Sequence, residues 1–439
     1  MKNTTYYLHI IIPILIWFGF GLLIIQYTEP ATPNTKFDYI LMIGQLIWVS
    51  PLIYAISNFI GLIKGKPKSP KIYPPSKTSY TLLWVSRVNN VNALHSAIKN
   101  SITQKPNFYS VNYAVVTDIK IPEQYRVDNV KYILVPKNYK TSNNVLYKAR
   151  ALEYARQFIQ TDYTFHCDEE STMTYELYFG INEFFKTNNK DVVGQGLITY
   201  NSDIASYKNN LLTKIIPIEV IDAVRSGDDL GRFRFQYSNM NTAAFGMHGS
   251  FMLIPKIVSD TITWDLKGKS ITEDAEFSLR AMEHNFKFNW VNGVLEEQSP
   301  HTIQDLIKQR KRWFTGIKTV VLDNTIPLKC KYILSFMLFN WALSWTIPII
   351  TIITLIVGKS FIPTLLVIPI SLITGISFAI YYVGLYVNLK SYKFTGKNLH
   401  IYINTFLLLV LQIVPIVESI GIIQGLIKPP KTFEVIYKK

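Results

Sequence analysis

Five apolar stretches interrupt an otherwise polar chain, and each is long enough to read as a membrane segment rather than as buried core. Leu8 to Gln26 carries no charge and follows Lys2. It is long for the apolar part of a cleaved signal peptide, and the Tyr-Thr-Glu-Pro-Ala-Thr that follows is a poor cleavage site, so it reads as an uncleaved helix. Tyr39 to Ile63 is a second span, and Ile333 to Val357, Phe361 to Leu389 and Leu399 to Ile427 form a C-terminal group of three. Pro415 and Glu418 interrupt the last of these, which either crosses once or folds back as a broken, re-entrant hairpin.

The polar middle has a different rhythm. Short β-prone runs end abruptly and are followed by helical patterns: Ser79 to Ser86 then Val91 to Ser101, Tyr113 to Thr117 ending in Asp118, Tyr132 to Val135 then Asn144 to Gln160. Tyr163 to Cys167 comes next and ends in Asp168, Glu169 and Glu170. Strand alternating with helix predicts an α/β fold with a mostly parallel sheet, whose ligands bind beyond the carboxyl ends of the strands, where Asp118 and Asp168 lie. No Gly-x-Gly-x-x-Gly follows the first strand, which argues against a dinucleotide site.

Beyond come a strand from Asp191 to Tyr200, a polar, flexible region around Ser226 to Asp229, and an apolar run, Phe251 to Ile254, introduced by His248, Gly249 and Ser250. Thr272 is placed to cap a helix that continues to His284, with Glu273 and Asp274 in its first turn. Gln304 to Lys318 is a basic helix with an irregular apolar face and reads as lying on a membrane surface. The expected organisation is two N-terminal spans in 1–63, a basic linker in 64–78, a soluble α/β domain in 79–300, interfacial helices in 301–330, further spans in 331–427 and a basic tail in 428–439.

A net charge of +15 would suggest nucleic acid as the partner of a soluble protein, but here 49% of the 439 residues are hydrophobic and the bilayer is the better partner. Lys64, Lys66, Lys68 and Lys71 directly follow the second span, which by the positive-inside rule puts the polar middle in the cytosol beside anionic lipid. Lys390, Lys393 and Lys397 agree; Lys428, Lys431, Lys438 and Lys439 agree only if the last segment folds back. Cys167 and Cys330 make neither a disulfide framework nor a zinc spacing.

Three clusters carry candidate chemistry. Asp168 and Glu170 offer hard oxygen donors suited to Mg²⁺ or Mn²⁺ and, through it, to a diphosphate. Asp274 is a candidate base, and Gln309-Arg310-Lys311-Arg312-Trp313 a candidate cationic clamp. The plain alternatives are a solvated acidic turn for the first cluster and compensation of the helix dipole for the second. Small residues at Gly249 and Ser250 would let an acceptor approach the backbone, or simply make a turn.

In this order, between membrane helices, the clusters resemble the membrane-bound enzymes of glycosyltransferase family 2, which include cellulose and hyaluronan synthases. The strings Val135 to Thr141, Lys148 to Leu152, Asp168-Glu169-Glu170, Gly194 to Tyr200, Glu273-Asp274 and Gln309 to Trp313 look like those of the egghead-type β-1,4-mannosyltransferases. The resemblance implies transfer of mannose from GDP-mannose to a glucosyl lipid, with inversion. It implies donor contacts at Ser86, Arg87, Asp118, Lys148, Asp168, Gln309, Arg312 and Trp313, metal at Asp168 and Glu170, and Asp274 as the catalytic base. Gly249, Ser250, Glu273, Trp313 and Glu418 fall on the acceptor side. Glu170 stands where many relatives have a second aspartate. A processive polysaccharide synthase using a UDP-sugar would share these residues, but five segments leave little material for a closed pore. A non-catalytic nucleotide-sugar-binding protein or transporter would not need a base at Asp274.

Overall fold

The computed structural model describes residues 3–107, 109–201, 222–268, 270–300, 302–388 and 414–430. The chain forms two compact units, each assembled from three sections. The first comprises Met1–Lys66, Ser202–Phe235 and Phe336–Ile423; the second comprises Pro67–Asn201, Gln236–Ser335 and Gln424–Lys439.

An eight-stranded sheet organises the second unit. In chain order its strands are β1 (Tyr80–Ser86), β2 (Asn112–Thr117), β3 (Lys131–Leu134), β4 (Tyr163–Cys167), β5 (Thr172–Met173), β6 (Val193–Asn201), β7 (Met252–Pro255) and β8 (Phe288–Gln298). Their spatial order is β3-β2-β1-β4-β7-β6-β8-β5. The first four are mutually parallel, as the strand-helix alternation predicts. β7 enters antiparallel to both β4 and β6, β6 pairs parallel with β8, and β5 pairs antiparallel with β8. The sheet is therefore mixed, with its parallel half where the strand-ending acids lie.

Burial explains why these runs are strands. β1 and β4 are central and covered on both faces, so they read as continuous apolar runs rather than as an alternation. Leu82, Trp84, Phe165 and Cys167 share one core cluster with Phe251 and Leu253. Register then places the chemistry. Trp84 pairs with Cys167 and Ser86 with Thr117, so β1, β2 and β4 end side by side and hand over to Arg87, Asp118 and Asp168 along one edge. The helix expected from Asn144 begins at Tyr147, because 141–144 is a turn in which Asn144 has a left-handed φ of 53°.

Helices dominate the described part of the first unit, with one short parallel strand pair between Glu29–Pro30 and Lys359–Ser360. Thr4–Tyr27, Lys36–Leu62 and Thr364–Asn388 are long and apolar enough to cross a membrane, with mean hydropathies of 2.5, 1.8 and 2.0. Small residues let backbones approach: a side chain at Gly375 would lie 2.6 Å from Ile14 Cα, and Trp17 packs on Phe378 at 5.0 Å between ring centres. Leu365 remains 86% exposed, as does much of the apolar surface of these helices, because none of the described residues covers it.

One expectation gains detail and another is corrected. The Ile333 to Val357 segment is bent: Leu328–Leu343 and Thr346–Val357 meet at 47°, as a broken span or a re-entrant loop. Pro348 has no N–H for the carbonyl of Ser344, and the hydroxyls of Ser344 and Thr346 turn back to the carbonyls of Trp341 and Leu343. The region around Ser226 to Asp229 is not a flexible loop but a buried helix, Val224–Asp228, continued by wide helical turns. A side chain at Gly227 would lie 1.8 Å from the carbonyl oxygen of Ile380, and the Asp228 carboxylate is held by Arg232 and by Tyr54 Oη at 3.0 Å. Three aspartates and three arginines balance within 222–235, so what reads as solvated polarity is internal neutralisation.

Of the last apolar segment, the helix Val414–Ile427 is seen. The rest of it, with Lys390, Lys393 and Lys397, lies outside the described residues, as do Lys431, Lys438 and Lys439.

Candidate active site

Asp168 leaves β4 into a tight turn built on Ser171. The Asp168 N–H donates to Ser171 Oγ at 2.9 Å, and the Ser171 N–H donates back to the Asp168 carbonyl at 3.1 Å. Ser171 is fully buried; its hydroxyl donates to Glu297 at 3.0 Å and its carbonyl accepts from the Trp84 indole at 3.0 Å. This fixes the acidic turn to β1 and β8. Glu169 turns away, accepting from Ser86 Oγ at 3.0 Å and the Arg87 N–H at 2.7 Å, and burial raises its pKa.

Lys148, at the start of the helix Tyr147–Arg156, reaches the Asp168 carboxylate at 2.5 Å, the Gly249 carbonyl at 2.6 Å and Glu273 at 3.8 Å. Burial works to lower its pKa, but Asp168 and Glu273 outweigh it and keep the ammonium charged. Glu273 and Asp274 open the helix Glu273–Glu283. Asp274 accepts the N–H of Ala275 at 2.8 Å; burial first, and then the charge of Glu273, push its carboxyl up to about 7. Burial also raises Glu273.

Arg312 comes from the helix Ile303–Leu322. Burial lowers its pKa, opposed by the charges of Asp168, Glu273, Asp274 and Glu170, so all four carboxylates lie within its field. Four acids therefore share one space with two cations, Lys148 and Arg312. Gly249 lies against them: a Cβ there would be 3.1 Å from both Asp274 Oδ2 and Lys148 Nζ.

The remaining candidates are placed as follows. The Ser86 hydroxyl is spent on Glu169, and Arg87 stacks over Tyr147 at 5.6 Å. Asp118 is paired at 2.5 Å with Arg150, which also donates to the carbonyls of Pro136 and Tyr139. Gln309 is buried and accepts from Arg310 at 2.7 Å, and Arg310 stacks over Trp313 at 4.6 Å. Ser250 is buried. Glu418 belongs to the first unit, where it accepts from Tyr381 Oη at 3.3 Å. Thr272 occupies the cap position without capping; its hydroxyl lies 3.0 Å from Ser270 Oγ, and its side chain fills the space over Gly316.

Reading the sequence missed Ser171, Arg150 and Arg310. A serine three residues after a strand-ending aspartate is a local signal for the turn that Ser171 makes. Arg150 and Arg310 lie inside quoted strings, but only packing reveals that one holds Asp118 and the other is buried whole.

Among the described residues, no group of three or more His, Cys, Asp or Glu is arranged to hold a metal ion. Asp168 and Glu170 offer two carboxylates, and the Lys148 ammonium already stands against one of them as a cation. That donor set fits Mg²⁺ or Mn²⁺ bound mainly by diphosphate and water, as these ions commonly are, rather than a cage made by the protein alone.

A mixed α/β sheet thus gathers carboxylates and cations beyond its strand ends, where the ligands of such sheets bind. The profile of Glycosyl transferase family group 2 matches residues 163–389, more than half of the chain, and the chain belongs to that family. It is 30% identical over 439 residues to the β-1,4-mannosyltransferase egh of Drosophila melanogaster, covering 95% of this chain and 90% of that one. Against the β-1,4-mannosyltransferase bre-3 of Caenorhabditis elegans it is 35% identical over 240 residues, 52% of this chain and half the length of the relative. Among solved structures, the mannosyltransferase PcManGT from Pyrobaculum calidifontis, in complex with GDP-Man and Mn²⁺, is 12% identical, with a TM-score of 0.48 over 89% of this chain and 99% of that one.

Proposed function

We propose that this glycosyltransferase is a membrane-embedded, inverting enzyme that moves mannose from GDP-mannose onto a membrane glycolipid, forming a β-1,4 linkage to glucose. The sugar and linkage are those of the β-1,4-mannosyltransferases egh and bre-3, and the donor nucleotide and glycolipid acceptor rest on the resemblance to the egghead type. The catalytic part rests on one observation: Asp168, Glu273, Asp274, Lys148 and Arg312 occupy a single neighbourhood.

Asp274 takes the proton from the acceptor hydroxyl as that oxygen attacks the anomeric carbon. A carboxyl raised to about 7 is a stronger base than an ordinary aspartate and is still largely ionised just above neutrality. Arg312 and Lys148 face the diphosphate and neutralise the charge it gains on leaving. Ser86, Arg87, Asp118, Gln309 and Trp313 complete the donor side; Gly249, Ser250, Glu273 and Trp313 belong to the acceptor side. Mg²⁺ or Mn²⁺, bound by Asp168 and Glu170, would add Lewis-acid stabilisation of the leaving diphosphate. The apolar helices hold the enzyme in the bilayer where a glycolipid resides, and Lys64, Lys66, Lys68 and Lys71 orient the catalytic unit to the cytosol.

The test is to incubate the purified chain with a panel of nucleotide sugars and a glucosyl lipid and weigh the product. One hexose added from GDP-mannose, with loss of turnover on chelation, is expected. A ladder of hexose additions from a UDP-sugar would replace this reading with a processive synthase, and no product with any donor would end it.

A further inference from the structure

The backbone that carries Gly249 has no regular hydrogen-bond ladder of its own, yet it fixes the position of Lys148 and borders Asp274. A buried side chain supports it. Gln195, on β6, is 1% exposed and uses both ends of its amide. Its Nε2 donates to the carbonyls of His248 at 3.2 Å and Ser250 at 3.3 Å; its Oε1 accepts from the His248 N–H at 3.3 Å and from Tyr237 Oη at 2.5 Å. The orientation is forced, because a flipped amide would set its oxygen against two carbonyl oxygens. Gln195 thus grips the residues on either side of Gly249 and leaves the Gly249 carbonyl for Lys148.

A second observation shows that the grip holds something unfavourable. Phe251, the next residue after Ser250, has a φ of 56°, a left-handed conformation that costs a bulky residue roughly 1 kcal/mol or more. It is fully buried against Phe165 at 5.1 Å between ring centres. Such a conformation persists where the surroundings over-determine it, and such places are enriched in functional sites.

We infer that Gln195, oriented by Tyr237, is a positioning residue: it sets the 248–251 turn so that Gly249 holds Lys148 and faces Asp274 at the separation sugar transfer requires. This rests on the transferase reading of the same site. Gln195 touches neither substrate; it acts through Gly249. Replacing the amide by a carboxyl keeps the shape but removes both N–H donors, with at most one O–H in their place, so at least one of the His248 and Ser250 carbonyls loses its partner and the turn shifts.

The test compares the wild type with Gln195→Glu and Tyr237→Phe, each in the full chain, measuring kcat and the KM for GDP-mannose with a glucosyl lipid, together with thermal unfolding. Gln195→Glu is expected to lower kcat by about 10²-fold, the scale of an ångström's misplacement, with the donor KM within threefold of wild type and the protein still folded. Tyr237→Phe, which removes one hydroxyl and leaves the amide in place, should fall severalfold in the same way. A Gln195→Glu enzyme with wild-type kcat overturns the inference, as does a rise in donor KM at constant kcat. If Gln195→Glu does not fold, Tyr237→Phe decides: wild-type kcat in it overturns the inference. A wild type that transfers no sugar from GDP-mannose, but transfers one from another donor, revises the substrate and leaves the comparison to be read with that donor; transfer from no donor refutes the enzyme reading itself.

Discussion

Both units bury charge, and they do it in opposite ways. In the first unit, Asp228 meets Arg232 one helical turn away, Tyr54 closes the pair from another helix, and the 222–235 segment balances three acids with three bases. In the second, four carboxylates share Lys148 and Arg312. The first arrangement is complete without a ligand, which is what a structural ion pair between apolar helices needs. The second gathers four carboxylates around two cations, and there burial first, and then the charge of Glu273, pushes Asp274 up to about 7. The contrast thus separates an ion pair closed within the helices from the cluster to which we assign the chemistry, although both look alike as polar residues in sequence.

Breaking the second arrangement should cost activity and no stability. Asp274→Asn is expected to lower kcat by about 10²- to 10⁴-fold, the usual contribution of a positioned base. The sign of the stability effect follows from linkage. The folded carboxyl titrates near 7, above the unfolded value of about 3.9, so the folded state holds the extra proton between them and stability falls as pH rises through that window. At pH 8 the asparagine variant escapes that penalty, so its melting temperature should equal or exceed wild type. A variant that melts earlier and loses activity in proportion would move Asp274 into the structural class.

Breaking the first arrangement should do the reverse. Arg232→Leu leaves Asp228 as an uncompensated, largely buried charge, expected to cost about 3–5 kcal/mol and to show as lost folded protein in detergent. Pairing it with Asp228→Asn should recover most of that loss. If the double variant is as unstable as the single one, the segment is held by its glycines and not by its charges.

The comparison also explains what could be read in advance. Asp168, Asp274 and Arg312 were legible because each interrupts a pattern: an apolar run that stops in acids, a helix that opens on acids, a basic string before a membrane segment. Three adjacent acids did not declare that Glu169 would turn to Ser86 while its neighbours stayed in the field of Arg312; that depends on the turn made by Ser171. The Ser226 to Asp229 region reads as polar and flexible because hydropathy counts charges singly, whereas Asp228 and Arg232 cancel at helical spacing. Nor could sequence show that Pro348 bends the segment after Ile333, since prolines at 13 and 369 lie inside helices that continue.

A smaller effect sharpens the electrostatic half of the contrast. If Asp274 is the base, kcat should fall about tenfold per pH unit below about 7 and level off above it, because the protonated acid cannot accept the hydroxyl proton. The measurement is a pH profile of kcat at saturating donor and acceptor. A low-pH limb centred near 4 would mean that bound substrate restores an ordinary carboxylate, or that a different group is the base.

The smallest expected effects come from two glycines, and they test the comparison without touching a charge. A Cβ at Gly61 would lie 1.9 Å from the carbonyl oxygen of Gly231, a backbone atom that no rotamer change can move. Gly61→Ala must therefore part the helix Leu52–Leu62 from the 222–235 segment, costing about 1–3 kcal/mol as overpacking does. At Gly249 the new methyl meets only the ends of Asp274 and Lys148, each at 3.1 Å, and both can yield by a few tenths of an ångström. Gly249→Ala should then melt like wild type while losing activity severalfold, because what yields is the proposed base and its neighbouring cation. Equal losses of stability in the two variants would show that the turn at Gly249 is as rigid as the helix contact, and that the site tolerates no adjustment even where only side chains are in the way.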